Sequence, residues 1–264
     1  MSEALNYSSY LRLGELLSQQ EPRSQGQHGP EHDELLFIVI HQVYELWFKQ
    51  MLHEFDFLCE QLRASARARA GHTLLRLRSI LKTIVGQVDI LETMTPLEFN
   101  SFRAYLESGS GFQSVQFREI EFLLGHKREN IFKHYPPDTF GLDRLRRRFE
   151  QPTLWDAFLA FLERSGYSVP ADQLARDVTE PLKPDPALQA LLVQVYRADP
   201  AVSNICEHLI DLDEGFMEWR YRHVKMVERT IGHKPGTGGS PGAPYLAATI
   251  RPFFPDLWEI RSAL

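Results

Sequence analysis

Hydrophobic residues recur at steps of three and four along much of this chain, the spacing that places them on one face of a helix. The longest such stripe, between about residues 200 and 232, consists of Leu209, Leu212, Phe216, Trp219, His223, Val227 and Ile231. A second stripe, between about residues 33 and 64, consists of Phe37, His41, Tyr44, Phe48, Leu52 and Phe55. No run of residues alternates hydrophobic and polar positions as a β-strand would. The pattern therefore predicts an all-α fold.

Shorter periodic segments predict further helices over about residues 7–20, 71–93, 112–131, 152–165 and 186–197. Asp33 is expected to cap the first long helix, and Thr95 followed by Pro96 predicts another helix start. Glycine, proline and serine predict loops or breaks at 21–31, 108–111 and 234–245. We interpret residues 1–264 as one domain, with 135–199 as a helical insertion on the main bundle. The aromatic tail after about residue 250 is expected to pack back on that bundle.

Composition narrows the class of protein. The chain has 264 residues, 43% of them hydrophobic and 24% charged, which is typical of a globular protein with a core large enough for a cofactor. Its two cysteines, Cys59 and Cys206, lie at apolar helix positions and predict buried thiols in a reducing compartment. The longest strongly apolar run, LLFIVI at 35–40, is too short to span a bilayer. With no signal-peptide pattern and a net charge of −6, we expect a cytoplasmic protein that binds neither membranes nor nucleic acid.

Two long helices each place one histidine, His41 or His223, on an apolar stripe. Facing helices of a bundle commonly hold a flat cofactor between them, and one histidine commonly binds haem iron. Two unrelated core histidines with hydrogen-bond partners remain an alternative. The sequence contains no HExxH, no CxxC and no Glu-x-x-His pair, so other metal cofactors are less favoured than haem.

Two further features suit a ligand that carries a carboxylate. Phe99 and Arg103 are four residues apart, so an aromatic ring and a guanidinium project from one helix face, and arginine binds carboxylates through two hydrogen bonds. The turn GTGGS at 236–240 could present backbone N–H groups to an anion, although it lacks the Gly-Lys-Ser/Thr ending of a nucleotide-binding loop. An ordinary salt bridge and a surface turn are the alternatives.

Taken together, several segments of this chain resemble the tryptophan 2,3-dioxygenase family. They occur in the same order as in the family and are spread over nearly the whole chain. The segments that carry the resemblance are YSSYL (7–11), HDELLFI (32–38), HQVYELWFK (41–49), MTP (94–96) with FR (102–103), SGFQS (110–114) with QFR (116–118), and residues 223–240. Residues 135–199 carry little of it. The resemblance implies a helical bundle that encloses one b-type haem per subunit. It also implies an oxidoreductase that inserts both atoms of O2 across the indole C2–C3 bond of L-tryptophan, giving N-formylkynurenine in the first step of tryptophan catabolism by the kynurenine pathway.

The resemblance also implies roles for single residues. His223 would be the axial ligand of the haem iron, and His41 the catalytic residue on the distal side, accepting a hydrogen bond from the indole N–H. Phe37 and Phe99 would contact the indole ring. Some family members have tyrosine where this chain has Phe99, so no hydroxyl contact is expected there.

Polar contacts and assembly follow from the same resemblance. Arg103 would bind the substrate carboxylate, and Thr237 its carboxylate and ammonium. Ser110 would lie near the haem edge, with Arg118 as a candidate partner of a haem propionate. The N-terminal tyrosines of the family complete a neighbouring subunit's pocket. By analogy, residues 1–31 would be exchanged between subunits of a homotetramer built as a dimer of dimers, and would contribute Tyr7 and Tyr10.

Three other functions fit the same sequence. A relative in secondary metabolism could insert a single oxygen atom into a substituted indole or tryptophan with the same ligands. A non-catalytic haem sensor could use the same scaffold, although it would not need Phe37, Arg103 and Thr237 together. A helical interaction module without a cofactor is the third.

Overall fold

The computed structural model describes residues 5–232, 234–236 and 243–264, and in this part of the chain helices are joined by loops. In chain order the α-helices are α1 (Tyr7–Leu11), α2 (Leu13–Leu16), α3 (His32–Arg63), α4 (Arg67–Leu91), α5 (Pro96–Phe102), α6 (Val115–Leu123), α7 (Leu142–Glu150), α8 (Leu154–Arg164), α9 (Ala171–Leu174), α10 (Pro186–Ala198), α11 (Pro200–Ile231), α12 (Ala243–Ala247) and α13 (Pro255–Glu259). Short 3-10 helices cover Arg103–Leu106, Gly111–Gln113, Glu129–His134 and Ile260–Ala263. The described residues form no strand beyond one isolated bridge between Gly26 and Gly29, which confirms the all-α prediction.

Three long helices, α3, α4 and α11, form the frame of the molecule. The Tyr44 hydroxyl of α3 donates to the Ile84 carbonyl of α4 at 3.0 Å, and Arg76 of α4 pairs with Glu54 of α3, so these two helices run antiparallel. Helix α11 also packs along α4 and runs parallel to it, because Arg78 of α4 pairs with Asp211 and, further along both helices, Asp89 pairs with Arg222. Because the helices that carry His41 and His223, α3 and α11, both pack along α4, this central helix determines where they lie.

The close approach of α4 and α11 depends on a glycine. A Cβ atom added at Gly215 would lie 2.6 Å from Leu81 Cδ2, and Leu81 is itself buried. Since real Cβ contacts essentially never fall that short, any larger residue would force the two helices or the Leu81 side chain to shift. The glycine in the middle of α11 therefore serves helix packing.

Most predicted helices are confirmed, and the differences have local causes. Thr95 caps α5 and forms a reciprocal capping box with Glu98. The prediction that Asp33 caps the first long helix is wrong, because α3 already begins at His32 and Asp33 lies in its first turn. The predicted helix over 112–131 is also too long. Its α-helical part ends at Leu123, and Gly125 follows with a φ of +101°, a conformation that interrupts a helix.

The C-terminal tail packs back on the bundle, as the sequence predicted. Phe253, Phe254 and Leu257 are buried in the main core, to which α8 and α10 also contribute. The Asp213 carboxylate, fully buried on α11, accepts hydrogen bonds from the amides of Phe253 and Phe254 and from the Trp258 indole, at 2.8 to 3.0 Å. The tail is therefore fixed to α11 by both apolar and polar contacts.

The cysteines and the helix lengths also follow the sequence analysis. Cys59 and Cys206 are buried free thiols, and burial raises the pKa of each to about 12. None of the described helices is long and apolar enough to cross a membrane.

Candidate cofactor and substrate site

A deep cavity lies between α3, α4, α5 and α11, with an empty volume of about 1650 Å³ including the open space at its mouth. It brings together residues from very different parts of the sequence. The predicted site residues that line it are Phe37, His41, Phe99, Arg103, Ser110, Arg118 and His223.

His41 faces this cavity with a defined tautomer. Its Nδ1 lies 2.7 Å from the Phe37 carbonyl, one turn earlier on α3, and because a carbonyl can only accept, Nδ1 must donate. Burial lowers the pKa of His41, although the Phe37 carbonyl and Glu45 oppose this effect, so the ring is neutral near pH 7. Its Nε2 is therefore left as a hydrogen-bond acceptor.

His223 lies on the α11 wall of the same cavity. No hydrogen bond joins either of its ring nitrogens to another residue in the part of the chain that the structure describes. Its ring stacks on Trp219, one turn earlier, with centroids 5.3 Å apart and planes 10° apart. Burial, His41 and Arg118 together lower the pKa of His223 to about 4, which keeps the imidazole neutral with a lone pair available.

Aromatic side chains form the wall beside His223. Trp219 lies 4.8 Å from Phe117 and 6.3 Å from Phe48, measured between ring centroids, and Phe48, Phe117 and Trp219 all line the cavity. The His223 imidazole is neutral and has no hydrogen-bond partner among the residues that the structure describes, so it can bind the iron of a haem. The aromatic wall would give the porphyrin apolar contact, and Arg118 would supply a cation for a propionate. The residues present therefore fit this cofactor.

A buried ionic cluster lies at the edge of the cavity around Glu121. Its carboxylate accepts hydrogen bonds from Arg118, from Arg128 at 2.8 Å and from Arg220 at 3.0 Å. Burial alone would raise the pKa of Glu121, but the three guanidinium groups lower it to about 2. Glu121 and Arg220 were not among the site residues predicted from the sequence. The spacing of Arg118 and Glu121, three residues apart on one helix, was the only local signal.

The Arg103 side chain is held at the cavity by a backbone carbonyl. Its Nη2 donates to the Pro235 carbonyl at 2.6 Å, and the next residue, Gly236, lines the cavity. Thr237, the predicted substrate contact, lies outside the described residues. The Ser110 hydroxyl accepts from the Phe112 amide at 3.3 Å and so begins the 3-10 helix at 111–113.

Tyr7 and Tyr10 do not line the cavity of their own chain. Tyr7 and Tyr10 are 76% and 73% exposed, and no residue of helices α1 and α2 is buried. Their contribution to a neighbouring subunit's pocket stays a prediction.

Fold and site together define a class: an all-α protein whose core cavity fits a haem ligated by a histidine. The family model described as tryptophan 2,3-dioxygenase matches residues 1–169 and 170–264. A tryptophan 2,3-dioxygenase of Herpetosiphon aurantiacus is 64% identical over 264 residues, which cover 100% of both chains. Those of Anaeromyxobacter dehalogenans and Caulobacter vibrioides are 52% and 42% identical, over 100% of this chain and 97% and 100% of their own. This chain belongs to the tryptophan 2,3-dioxygenase family.

Proposed function

We propose that this chain is a haem-dependent tryptophan 2,3-dioxygenase, which adds both atoms of O2 across the indole C2–C3 bond of L-tryptophan and forms N-formylkynurenine. This reaction would be the first step of tryptophan catabolism by the kynurenine pathway. The observation that carries the proposal is one cavity lined by His223, which has no hydrogen-bond partner among the described residues, and by His41, which keeps Nε2 as an acceptor. The full-length similarity to proteins named tryptophan 2,3-dioxygenase supports it.

One b-type haem per chain would be held through its iron by His223, with Ser110 close to the haem and Arg118 as the candidate partner of a propionate. When bound, the haem supplies the iron chemistry that activates molecular oxygen. The aromatic wall of Phe48, Phe117 and Trp219 excludes water and gives the porphyrin apolar contact.

The substrate would be oriented by residues on α3 and α5. His41 Nε2 accepts a hydrogen bond from the indole N–H, which holds the five-membered ring in one orientation. The rings of Phe37 and Phe99, with centroids 5.9 Å apart, contact the indole faces or edges. Arg103 binds the carboxylate and Thr237 the carboxylate and ammonium. Because the indole and the amino-acid group of the substrate are both held, the indole is positioned for reaction, and this positioning accounts for a large share of the rate enhancement.

For assembly, we propose a homotetramer, a dimer of dimers, in which Tyr7 and Tyr10 reach a neighbouring pocket. The exposure of α1 and α2 supports this, because Tyr7 and Tyr10 are 76% and 73% exposed in the part of the chain that the structure describes. A cytoplasmic location is supported by the two buried, unpaired cysteines.

The test is turnover of L-tryptophan under labelled oxygen. The haem-loaded protein is reduced without air and mixed with L-tryptophan and ¹⁸O₂, and the product is analysed by mass spectrometry. We expect N-formylkynurenine that retains both labelled atoms, and no haem binding by a His223→Ala variant. A product with one labelled atom would instead establish the single-oxygen alternative. A protein that binds haem and tryptophan without any product would be a sensor.

A further inference from the structure

Arg220 joins three separate parts of the chain beside the cavity. It lies on α11 three residues before His223, and only 3% of it is exposed. Its Nη1 donates to the carbonyls of Thr249 and Arg251, at 2.7 and 3.3 Å, and its Nη2 donates to Glu121 of α6 at 3.0 Å. One buried side chain thus connects α11, α6 and the segment 249–251.

The segment 249–251 leads into the tail and follows α12, and both contribute to the cavity wall. Leu246 and Thr249 line the cavity, and α12 packs against α11. Next along the chain, the Pro252 carbonyl lies 3.2 Å from His126 Nε2, and Asp213 holds the amides of Phe253 and Phe254. Of these contacts, the bond from Arg220 to the Thr249 carbonyl falls on a residue that itself lines the cavity.

A second arginine holds the chain on the other side of α12. The Pro235 carbonyl accepts the bond from Arg103, and the Thr249 carbonyl accepts the bond from Arg220. The residues that separate these two carbonyls, in sequence, include Gly236, which lines the cavity, and the predicted substrate contact Thr237.

We propose that Arg220 is a positioning residue for substrate binding: by fixing the carbonyls of Thr249 and Arg251, it places the wall formed by Leu246 and Thr249 against the bound tryptophan. This inference rests on the proposed function. Arg220 acts through the segment it holds and does not itself take part in the reaction. Its substitution should therefore weaken substrate binding much more than it slows turnover.

The test compares Arg220→Met and Arg220→Lys with Arg222→Met in the haem-loaded protein. Arg222 is a matched control on the same helix, where it makes a surface ion pair with Asp89 and Glu92 at 2.5 and 3.2 Å. We expect Arg220→Met to raise KM for L-tryptophan about 10-fold while kcat changes less than about 3-fold, which corresponds to the loss of roughly two hydrogen bonds. Arg220→Lys should show a smaller rise, because lysine keeps the charge but reaches fewer acceptors. Arg222→Met should stay within about 2-fold of wild type.

Hydrogen exchange gives a readout that does not depend on activity. In Arg220→Met, the amides of Thr249, Ile250 and Arg251 should exchange at least about 10-fold faster, whereas those of Phe253 and Phe254, held by Asp213, should keep their protection. An unchanged KM in both Arg220 variants would overturn the inference, as would unchanged exchange at 249–251 or a loss of kcat and haem without a change in KM. If the wild-type protein forms no product, the proposed function fails, and the exchange measurement still decides whether Arg220 fixes this segment.

Discussion

Acid should destabilise this protein through one buried carboxylate, Glu121. The three arginines around it lower its pKa from an ordinary 4.5 to about 2 in the folded protein. Because the folded-state pKa is lower than the unfolded one, the ionised group stabilises the fold fully above about pH 4.5, and this contribution is lost as the pH falls towards about 2. Each unit of pKa difference is worth about 1.4 kcal/mol, so the total is about 3 kcal/mol.

The assay is urea unfolding of the haem-free protein, followed by circular dichroism at several pH values between about 6 and 3. At the acid end of this range, the free energy of unfolding of the wild type should fall by up to about 1.4 kcal/mol per pH unit because of Glu121. Glu121→Gln should be less stable near pH 7, because the buried guanidinium groups of Arg118 and Arg220 and the partly buried one of Arg128 lose this carboxylate. It should also show a shallower acid dependence.

A neighbouring carboxylate supplies the control. Glu119 is also buried on α6 and pairs with Arg144, but burial raises its pKa. Folding therefore disfavours the ionised form of Glu119, so its protonation in acid stabilises the folded protein, which is the opposite of the effect of Glu121. Glu119→Gln should keep the acid loss of wild type or make it steeper. Equal acid slopes for wild type and Glu121→Gln would refute the reasoning.

Three further outcomes can be tested. His41→Ala should lower kcat/KM for L-tryptophan by roughly 3- to 10-fold, which is the effect of losing one neutral hydrogen bond. The loss should be much smaller for 1-methyltryptophan, which has no indole N–H to donate. Equal losses for both substrates would contradict the role of Nε2. Lys127→Met should cost about 2–4 kcal/mol in urea unfolding, since its buried ammonium donates to three backbone carbonyls at 2.6 to 2.9 Å; an unchanged midpoint would contradict this. Gly215→Ala should lower the free energy of unfolding by about 1 kcal/mol, because the cost of overpacking against Leu81 exceeds the gain in helix propensity. This loss of stability should disappear in a Leu81→Ala background.

The sequence predicted those parts of the molecule that depend on regular spacing. Helices α3 and α11 were expected close to their observed bounds because their apolar residues recur at helical steps over many turns. The same periodicity placed His41 and His223 on inward faces, and the cavity contains both. The spacing of Phe99 and Arg103 had already pointed to Arg103, and the family resemblance added Ser110 and Arg118. All three residues line the same cavity.

What the sequence did not predict depends on partners far away in the chain. The run His126, Lys127 and Arg128 has the composition of an exposed turn, yet Lys127 is among the largest fully buried side chains. Its acceptors are the carbonyls of Arg148, Phe149 and Gln151, and no local pattern shows that they will lie there. Glu121 and Arg220 are 99 residues apart, so neither predicts the other. The early end of α6 depends on the backbone conformation of Gly125.

The central helix α4 carries none of the proposed chemistry, yet the helices that carry His41 and His223 both pack on it. Val88 and Leu91 of this helix line the cavity, so their size sets part of its width while His41 and His223 stay where they are. Pocket shape and reactive groups are thus encoded on different helices. Such a division lets evolution, or an engineer, adjust which indoles are accepted through single changes on α4, without rebuilding the groups that would perform the reaction.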